Sequence, residues 1–156
     1  MTTDQEFAEF ATARTPYLYR AAWLLCGDRH GAEDLVQETL AKVFLKWRRI
    51  DSPAAYAQTT LVRTFISQRR RRSSHEVPYA DLPDAVGEDV AASAEMRLTL
   101  HEVLAGLAPL DRAVLVLRYY DDLSVEDVAT RLGLSAGAVK NRSKRALERA
   151  RDRTTR

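Results

Sequence analysis

Four polar residues near the C-terminal end of the chain have the spacing of a nucleic-acid-binding helix face. Their offsets of 0, 1, 4 and 5 put three cations and one amide on the same side of a helix. They are Lys140, Asn141, Lys144 and Arg145. Side chains of these types hydrogen-bond the edges of bases in the major groove of DNA. A basic helix alone is more often an ordinary solvated face, so the residues that precede it decide between the two interpretations.

The residues around this face have the spacing of a helix-turn-helix. Ser124 caps a first helix, Gly133 permits the tight turn, and Ser135 caps the second helix. The small Ala129 lets the two helices approach each other. The periodicity also predicts which side chains of the second helix point inward, namely Val139, Ser143, Ala146, Leu147 and Ala150. The pattern as a whole predicts a DNA-binding unit.

An uneven distribution of charge predicts a second surface for a polyanion. The chain has 24 Lys and Arg against 22 Asp and Glu, so its formal charge is only +2. Residues 48–72 nevertheless carry seven basic residues and one acid, and residues 140–156 carry eight basic residues and two acids. Between them, residues 74–95 carry six acids and no Lys or Arg. Two basic blocks that flank an acidic one indicate two polyanion-facing surfaces separated by a linker.

A helix near the N-terminus carries acidic and amide side chains opposite its apolar stripe. Asp34, Gln37 and Glu38 align at offsets 0, 3 and 4, and Leu45 follows at offset 11. Periodicity alone favours an ordinary polar surface here. We expect no metal site, since no second His completes a ligand spacing, and no catalytic residue, since neither a nucleophile nor a phosphate loop accompanies the carboxylates. No cofactor is expected either.

Helical periodicity runs through nearly the whole chain and no strand alternation is visible, so we predict an all-α fold. A first helix spans residues 4–26 and ends at Gly27. A second spans residues 31–47, and Pro53 begins a third. The apolar stripe of the second helix consists of Ala32, Leu35, Val36, Leu40, Val43, Phe44 and Trp47. In the C-terminal half, Pro109 opens another helix.

The predicted organisation is two small helical domains joined by an acidic flexible linker. The domains span residues 1–73 and 93–156, and the second contains the helix-turn-helix. The linker spans residues 74–92, which contain two prolines, a glycine and no apolar period.

The single cysteine and the N-terminal residues indicate the cellular compartment of the protein. One cysteine cannot form an intramolecular disulfide, and Cys26 lies in the apolar run of residues 21–26, which indicates a buried structural thiol. That run is far shorter than the roughly 20 residues that span a bilayer. The first residues are acidic and polar rather than basic and then apolar, unlike a signal peptide. We expect a soluble cytoplasmic protein with no membrane partner.

Two segments carry a resemblance to a known family. Residues 31–39, Gly-Ala-Glu-Asp-Leu-Val-Gln-Glu-Thr, resemble the polymerase-binding helix of bacterial extracytoplasmic-function (ECF) sigma factors. Residues 123–151 are similar to their upstream-element-binding domain. The resemblance implies a transcription-initiation subunit that binds core RNA polymerase, directs it to specific promoters and assists promoter melting. Residues 1–73 would then be a sigma region-two domain and residues 93–156 a sigma region-four domain.

The resemblance also implies roles for individual residues. Asp34, Gln37 and Glu38 would contact the coiled coil of the polymerase clamp. The loop at residues 48–52 would capture a flipped base of the minus-ten element, and the third helix would hold the adjoining strand. The minus-ten set is Arg48, Arg49, Asp51, Arg63, Arg69, Arg70, Arg71 and Arg72. The minus-thirty-five set is Lys140, Asn141, Lys144 and Arg145, with Arg118 reaching the same site.

The chain departs from the family pattern at several positions. Arg63 stands where many members have Asn, and Gln68 replaces an apolar or aromatic residue that is common there. Ser143 and Leu147 replace the more usual Leu and Arg. These differences alter base contacts and packing, so no relative's promoter sequence is transferred to this chain. Since no regulatory extension follows Arg156, we expect control by a separate partner such as an anti-sigma protein.

Two other function classes remain as alternatives. An autonomous helix-turn-helix transcriptional regulator would share the C-terminal pattern, but it would need neither the acidic face nor the basic surface of residues 48–72. A nuclease would use Glu33, Asp34 and Glu38 with Mg²⁺, but the sequence has no second carboxylate cluster to complete a two-metal site. We therefore expect a protein that is not an enzyme. Only the sigma-factor interpretation predicts co-elution with core RNA polymerase.

Overall fold

The computed structural model describes residues 2–72 and 102–154, and within these ranges it contains helices and no strand. The N-terminal unit has three helices, α1 (Thr3–Cys26), α2 (Arg29–Leu45) and α3 (Pro53–Arg71). The C-terminal unit has α4 (Pro109–Leu115), which continues into a π-helical segment (Val116–Tyr120), followed by α5 (Val125–Leu132) and α6 (Ala136–Thr154). The all-α prediction with two helical units is confirmed. The predicted linker, residues 74–92, lies outside the described residues.

Capping residues set most of the helix boundaries. Gly27 ends α1 in the left-handed conformation with φ of 81°, and its N–H donates to the carbonyl of Trp23. The carboxylate of Asp28 then accepts from the N–H of Gly31 and begins α2. The second helix was predicted to reach Trp47, but it ends at Leu45, and Trp47–Arg49 form a 3₁₀ turn that leads toward α3. This turn is what places the basic residues after α2 at the start of α3.

The helices share a hydrophobic core that extends through both units. In the N-terminal unit, Leu18, Leu35 and Phe65 are almost completely inaccessible to solvent. In the C-terminal unit, Leu117 and Val139 are equally buried in the same cluster. Apolar burial of this kind contributes about 25 cal/mol per Å², so it is the main stabilising contribution to the fold. The thiol of Cys26 is buried as predicted, and burial raises its pKa to about 12.

Two predicted core residues are in fact exposed. Phe44 is 46% exposed, although its ring packs edge-on against Phe7 with 5.0 Å between centroids. Leu147 is 37% exposed, whereas its neighbours Ser143 and Ala146 are buried. Both residues lie at the margin of an apolar stripe, where a rotation of one position decides between core and solvent. The prediction that Leu147 points inward is therefore wrong, whereas Phe44 lies on the predicted apolar stripe at its exposed edge.

The two units contact each other through polar groups as well as apolar ones. Arg112 is only 6% exposed, and its guanidinium donates to the carbonyl of Leu25 at 2.7 Å. The hydroxyl of Tyr17 donates to the carboxylate of Asp121 at 2.5 Å, and the hydroxyl of Tyr120 donates to the carbonyl of Tyr17 at 2.9 Å. No pattern in the sequence predicted this contact between the units.

Burial at this contact shifts the pKa values of two interacting groups. Burial and the hydrogen bond to Asp121 raise the pKa of Tyr17 above its ordinary value, so the phenol stays protonated and remains a donor. Burial also raises the pKa of Asp121, although the hydrogen bond from Tyr17 and the charge of Arg131 act in the opposite direction. The contact thus holds a carboxylate in surroundings that favour its neutral form.

Candidate functional site

An open basic cleft of about 870 Å³ lies between the end of α2 and the outer face of α3. Five cationic side chains and one carboxylate line it, together with the ring of Tyr56 and several hydroxyl groups. The cations are Lys42, Lys46, Arg49, Arg63 and Arg131, and the carboxylate is Asp51. Cations attract a phosphate backbone, and aromatic or guanidinium planes stack on unpaired bases, so the cleft has the chemistry of a single-stranded nucleic-acid site.

Helix packing and the 3₁₀ turn position these side chains. The ammonium group of Lys42 donates to the hydroxyl of Thr64 at 2.9 Å, which joins α2 to α3 across the cleft. Arg49 is the last residue of the turn, Asp51 follows it, and Pro53 is the first residue of α3. Arg131 belongs to α5, so the C-terminal unit supplies part of the wall.

The cleft collects some of the predicted minus-ten residues but not all of them. Arg49, Asp51 and Arg63 line it, whereas Arg48 is exposed on the turn outside its lining. Sequence reasoning missed Lys42 and Lys46. Their spacing of four residues, one turn before Arg49, is the signal that could have indicated a basic helix edge.

Arg63 is held by the other unit. Its Nε donates to the backbone carbonyl of Arg131 at 2.7 Å, and the guanidinium of Arg131 donates to the side chain of Gln58 at 3.2 Å. Because Thr130 and Arg131 also line the cleft, α5 stands beside the residues predicted to hold the melted strand.

The four consecutive arginines at the end of α3 have different surroundings. Arg69 donates to the carbonyl of Cys26 at 3.4 Å, and its guanidinium lies 5.3 Å from the centre of the Phe65 ring. Together with Arg72 it lines a small cleft of about 40 Å³ at the junction of α1 and α2, which Asp34 also lines. Arg70 and Arg71 are exposed. The run is therefore divided between a packing role and a solvent-facing one.

The predicted polymerase-binding residues lie together on α2. Asp34 and Gln37 are exposed and Glu38 is half-buried. His30 approaches Asp34 at 3.5 Å, and the side-chain amide of Gln68 on α3 donates to Glu38 at 2.8 Å. Further along the same helix, Leu45 is 81% exposed.

The helix-turn-helix has the predicted geometry. The hydroxyl of Ser124 accepts from the N–H of Asp127, that of Ser135 accepts from the N–H of Ala138, and Gly133 adopts φ of 68° at the turn. An ion pair of 2.9 Å between Arg142 and Asp111 fixes α6 against α4. On the outer face of α6, all four predicted residues are exposed, namely Lys140, Asn141, Lys144 and Arg145.

Arg118 does not join this face as a free side chain. It is half-buried in the π-helical segment, and its guanidinium donates to the carbonyl of Leu123 at 2.6 Å. The bond holds the loop that leads into α5, so Arg118 positions the helix-turn-helix in this structure.

The described part of the chain contains neither a metal-binding cluster nor a membrane-spanning helix. Within residues 2–72 and 102–154, no three His, Cys, Asp or Glu side chains lie close enough together to hold a metal ion. No helix in this part of the chain combines the length and the apolar character needed to cross a membrane.

Comparison with known proteins assigns both halves of the chain. The Sigma-70 region 2 family matches residues 10–75, and the Sigma-70, region 4 family matches residues 97–149. The "RNA polymerase sigma-E factor" of Streptomyces coelicolor is 37% identical over 150 residues, which cover 94% of this chain and 85% of that protein. The "ECF RNA polymerase sigma factor SigL" of Mycobacterium tuberculosis is 35% identical over 149 residues, covering 86% of this chain and 84% of the relative.

A solved structure has a similar fold. It is the sigma factor RpoE of Bartonella quintana in complex with the anti-sigma factor NepR, and the match has a TM-score of 0.76 at 26% identity. The match covers 97% of this chain and 98% of RpoE, so it includes both units.

The fold and the comparisons together define a DNA-binding protein that acts in transcription. The chain belongs to the ECF family of RNA polymerase sigma factors. It is a transcription-initiation factor whose partners are core RNA polymerase and promoter DNA. The alternative of an autonomous helix-turn-helix regulator is not favoured, because both sigma regions are present in one chain.

Proposed function

We propose that the three surfaces divide the work of initiation between them. The acidic face of α2, formed by Asp34, Gln37 and Glu38, binds core RNA polymerase. The basic cleft between α2 and α3 receives the melted minus-ten strand, and the outer face of α6 reads the minus-thirty-five element. The observation that carries this proposal is the cleft itself, where five cations and an aromatic ring converge on one opening.

The chemistry of the cleft supports strand capture. A base pulled from the duplex stack costs a few kcal/mol, which stacking and cationic backbone contacts must offset. Tyr56 and Arg49 offer planes for stacking, and Lys42, Lys46 and Arg63 offer charge for the backbone. Arg70 and Arg71 are exposed on the next turn of α3 and extend this charge along the strand. Arg69 supports the fold at the junction of α1 and α2 instead.

The face of α6 supports base reading in duplex DNA. Its four polar side chains are exposed together beside a shallow groove that Glu148 closes on one side. Arg118 contributes indirectly, because its guanidinium donates to the carbonyl of Leu123 and holds the loop before α5.

Membership of the family supports a proposal for the cellular compartment and for the kind of activity. Core RNA polymerase is a cytoplasmic enzyme, so this chain acts in the cytoplasm, and it does so as a binding subunit with no catalysis of its own. Because the similar RpoE is bound by an anti-sigma factor, we propose that such a protein also restrains this chain.

Reversing the charge of the acidic face tests the polymerase assignment. Asp34→Lys with Glu38→Lys should abolish binding to core polymerase, because two attractive charges become repulsive. The variant should stay folded with only a small fall in melting midpoint, since neither residue belongs to the apolar core and one hydrogen bond, from Gln68 to Glu38, is lost. Binding is measured with purified core polymerase by gel filtration, and melting by circular dichroism.

A control with the same change of net charge separates the face from charge in general. Glu6→Lys with Glu9→Lys reverses two exposed carboxylates on α1 and should leave co-elution with polymerase intact. If the α2 double variant melts normally and still binds polymerase as the wild type does, this face is an ordinary solvated surface and the assignment is wrong.

A further inference from the structure

The side chain of Gln68 reaches the acidic face from a neighbouring helix. Its Nε2 donates to Oε2 of Glu38 at 2.8 Å, which joins α3 to α2. We propose that Gln68 is a positioning residue that orients the Glu38 carboxylate for core RNA polymerase. This proposal rests on the polymerase-binding role proposed for α2.

The burial of the pair fits a supporting role. Glu38 is half-buried against α3, whereas Asp34 and Gln37 are exposed on α2. Gln68 is also half-buried, and it lines the small cleft beside Asp34. One side chain therefore bonds Glu38 and lines the same small cleft as Asp34. An ionised carboxylate has about four acceptor positions, so a single bond from Gln68 leaves the others for a partner.

The Gln68 side chain carries no charge, and for the role of Glu38 this neutrality matters as much as the length of the side chain. Arg69 and Arg72 on the same helix line the cleft that Asp34 lines, so cations are already close to one end of the face. A Lys or Arg at position 68 would cancel the charge of Glu38, and an apolar residue would leave its rotamer free. An amide fixes the direction of the carboxylate and preserves its negative charge.

Fixing the Glu38 side chain before polymerase binds should have a measurable effect on the affinity. A glutamate that is free in solution loses rotamer freedom when a partner fixes it, and that loss weakens binding. A carboxylate that is already held loses less. Removal of the bond should therefore weaken polymerase binding by about two- to tenfold.

Gln68→Met in the full chain tests the inference, because methionine has a similar length and shape but no donor. The Kd for core polymerase is measured by fluorescence anisotropy, and the melting midpoint by circular dichroism. We expect the Kd to rise about two- to tenfold with no change in midpoint. In a Glu38→Ala background, Gln68→Met should leave the Kd unchanged, because the side chain that it positions is gone.

A matched control lies on the same helix. Gln58→Met also removes one side-chain amide contact from α3, but that contact is with Arg131 rather than with the acidic face. It should not raise the Kd for polymerase.

The outcomes separate this inference from the function on which it rests. If Glu38→Ala weakens binding but Gln68→Met does not, the positioning role is wrong and the polymerase face stands. If Glu38→Ala binds as the wild type does, the polymerase face itself is wrong and the inference falls with it. An equal loss of affinity from Gln68→Met in both backgrounds marks a general structural effect and overturns the positioning role.

Discussion

Individual arginines of this chain have roles that their neighbours in sequence do not share. Arg69 packs on Phe65 and bonds a backbone carbonyl, while the adjacent Arg70 faces solvent. Spacing predicted that residues 69–72 form a basic segment, but it did not show which side of α3 each guanidinium takes. That distinction depends on how α3 packs against the junction of α1 and α2, which the local sequence does not contain.

The two basic surfaces should fail differently when they are neutralised. Lys140→Ala with Arg145→Ala should weaken recognition of the minus-thirty-five element, because base contacts of this kind contribute about 1–3 kcal/mol each. Arg70→Ala with Arg71→Ala should instead slow open-complex formation on any promoter and make it less dependent on salt. Promoter binding and open-complex formation by the assembled holoenzyme are measured across a salt series.

Binding to core polymerase is the control for both variants, since neither pair lies on the acidic face of α2. An equal loss of polymerase affinity in both would contradict the division of labour between the surfaces.

At the scale of helices, local signals were the most informative. Gly27, Pro53, Ser124 and Gly133 set helix boundaries where the sequence predicted them, because caps and turns act within a few residues. The end of α2 was less predictable. Apolar periodicity continues to Trp47, but the backbone tightens into a 3₁₀ turn there and brings Arg49 to the cleft.

The turn of the helix-turn-helix offers a test with a matched pair of glycines. A Cβ at Gly133 would meet no atom within 4 Å, yet its φ of 68° is unfavourable for any residue with a side chain. Gly133→Ala should therefore destabilise the fold by about 1–2 kcal/mol through backbone strain alone. Gly137 lies within α6 at ordinary φ, so Gly137→Ala should be neutral or stabilise by up to about 1 kcal/mol. Urea unfolding of both variants measures the two changes, and an equal loss of stability would show that the turn does not need its glycine.

At the scale of the whole molecule, the close contact between the two units is the feature that the sequence did not predict. Composition indicated two helical units on a tether, which is confirmed for the units themselves. Their contact depends on pairs about a hundred positions apart, such as Tyr17 with Asp121. No periodicity or spacing rule connects residues at that separation, so only the folded structure shows them together.

The carboxylate at this contact should make stability depend on pH. Because burial raises the pKa of Asp121 above its ordinary value of 3.8, the folded chain binds this proton more tightly than the unfolded chain does. The stability that this group contributes is therefore present in acid and is lost as the pH rises through the folded pKa. The Asp121→Asn variant carries no charge to desolvate at this position. The difference in unfolding free energy between this variant and the wild type should therefore shift in favour of the variant as the pH rises from about 3 to 7.

Chemical unfolding at each pH measures that difference. Asp122→Asn is the control, because it removes the same charge from the exposed neighbouring position. If the advantage of Asp121→Asn over the wild type is the same at every pH, or if Asp122→Asn shows the same trend, the explanation by burial is wrong.

The hydrogen bond from Arg63 to the carbonyl of Arg131 has a consequence that a genetic selection can detect. While that bond exists, the Nε–H of Arg63 is engaged by its own chain, so only molecules in which the bond has opened can offer this donor to a nucleotide. The apparent affinity for a strand is then the intrinsic affinity multiplied by the open fraction. A selection for stronger promoter activity should therefore yield activating alleles at positions such as Gln58, which belong to neither the acidic face of α2 nor the base-reading face of α6.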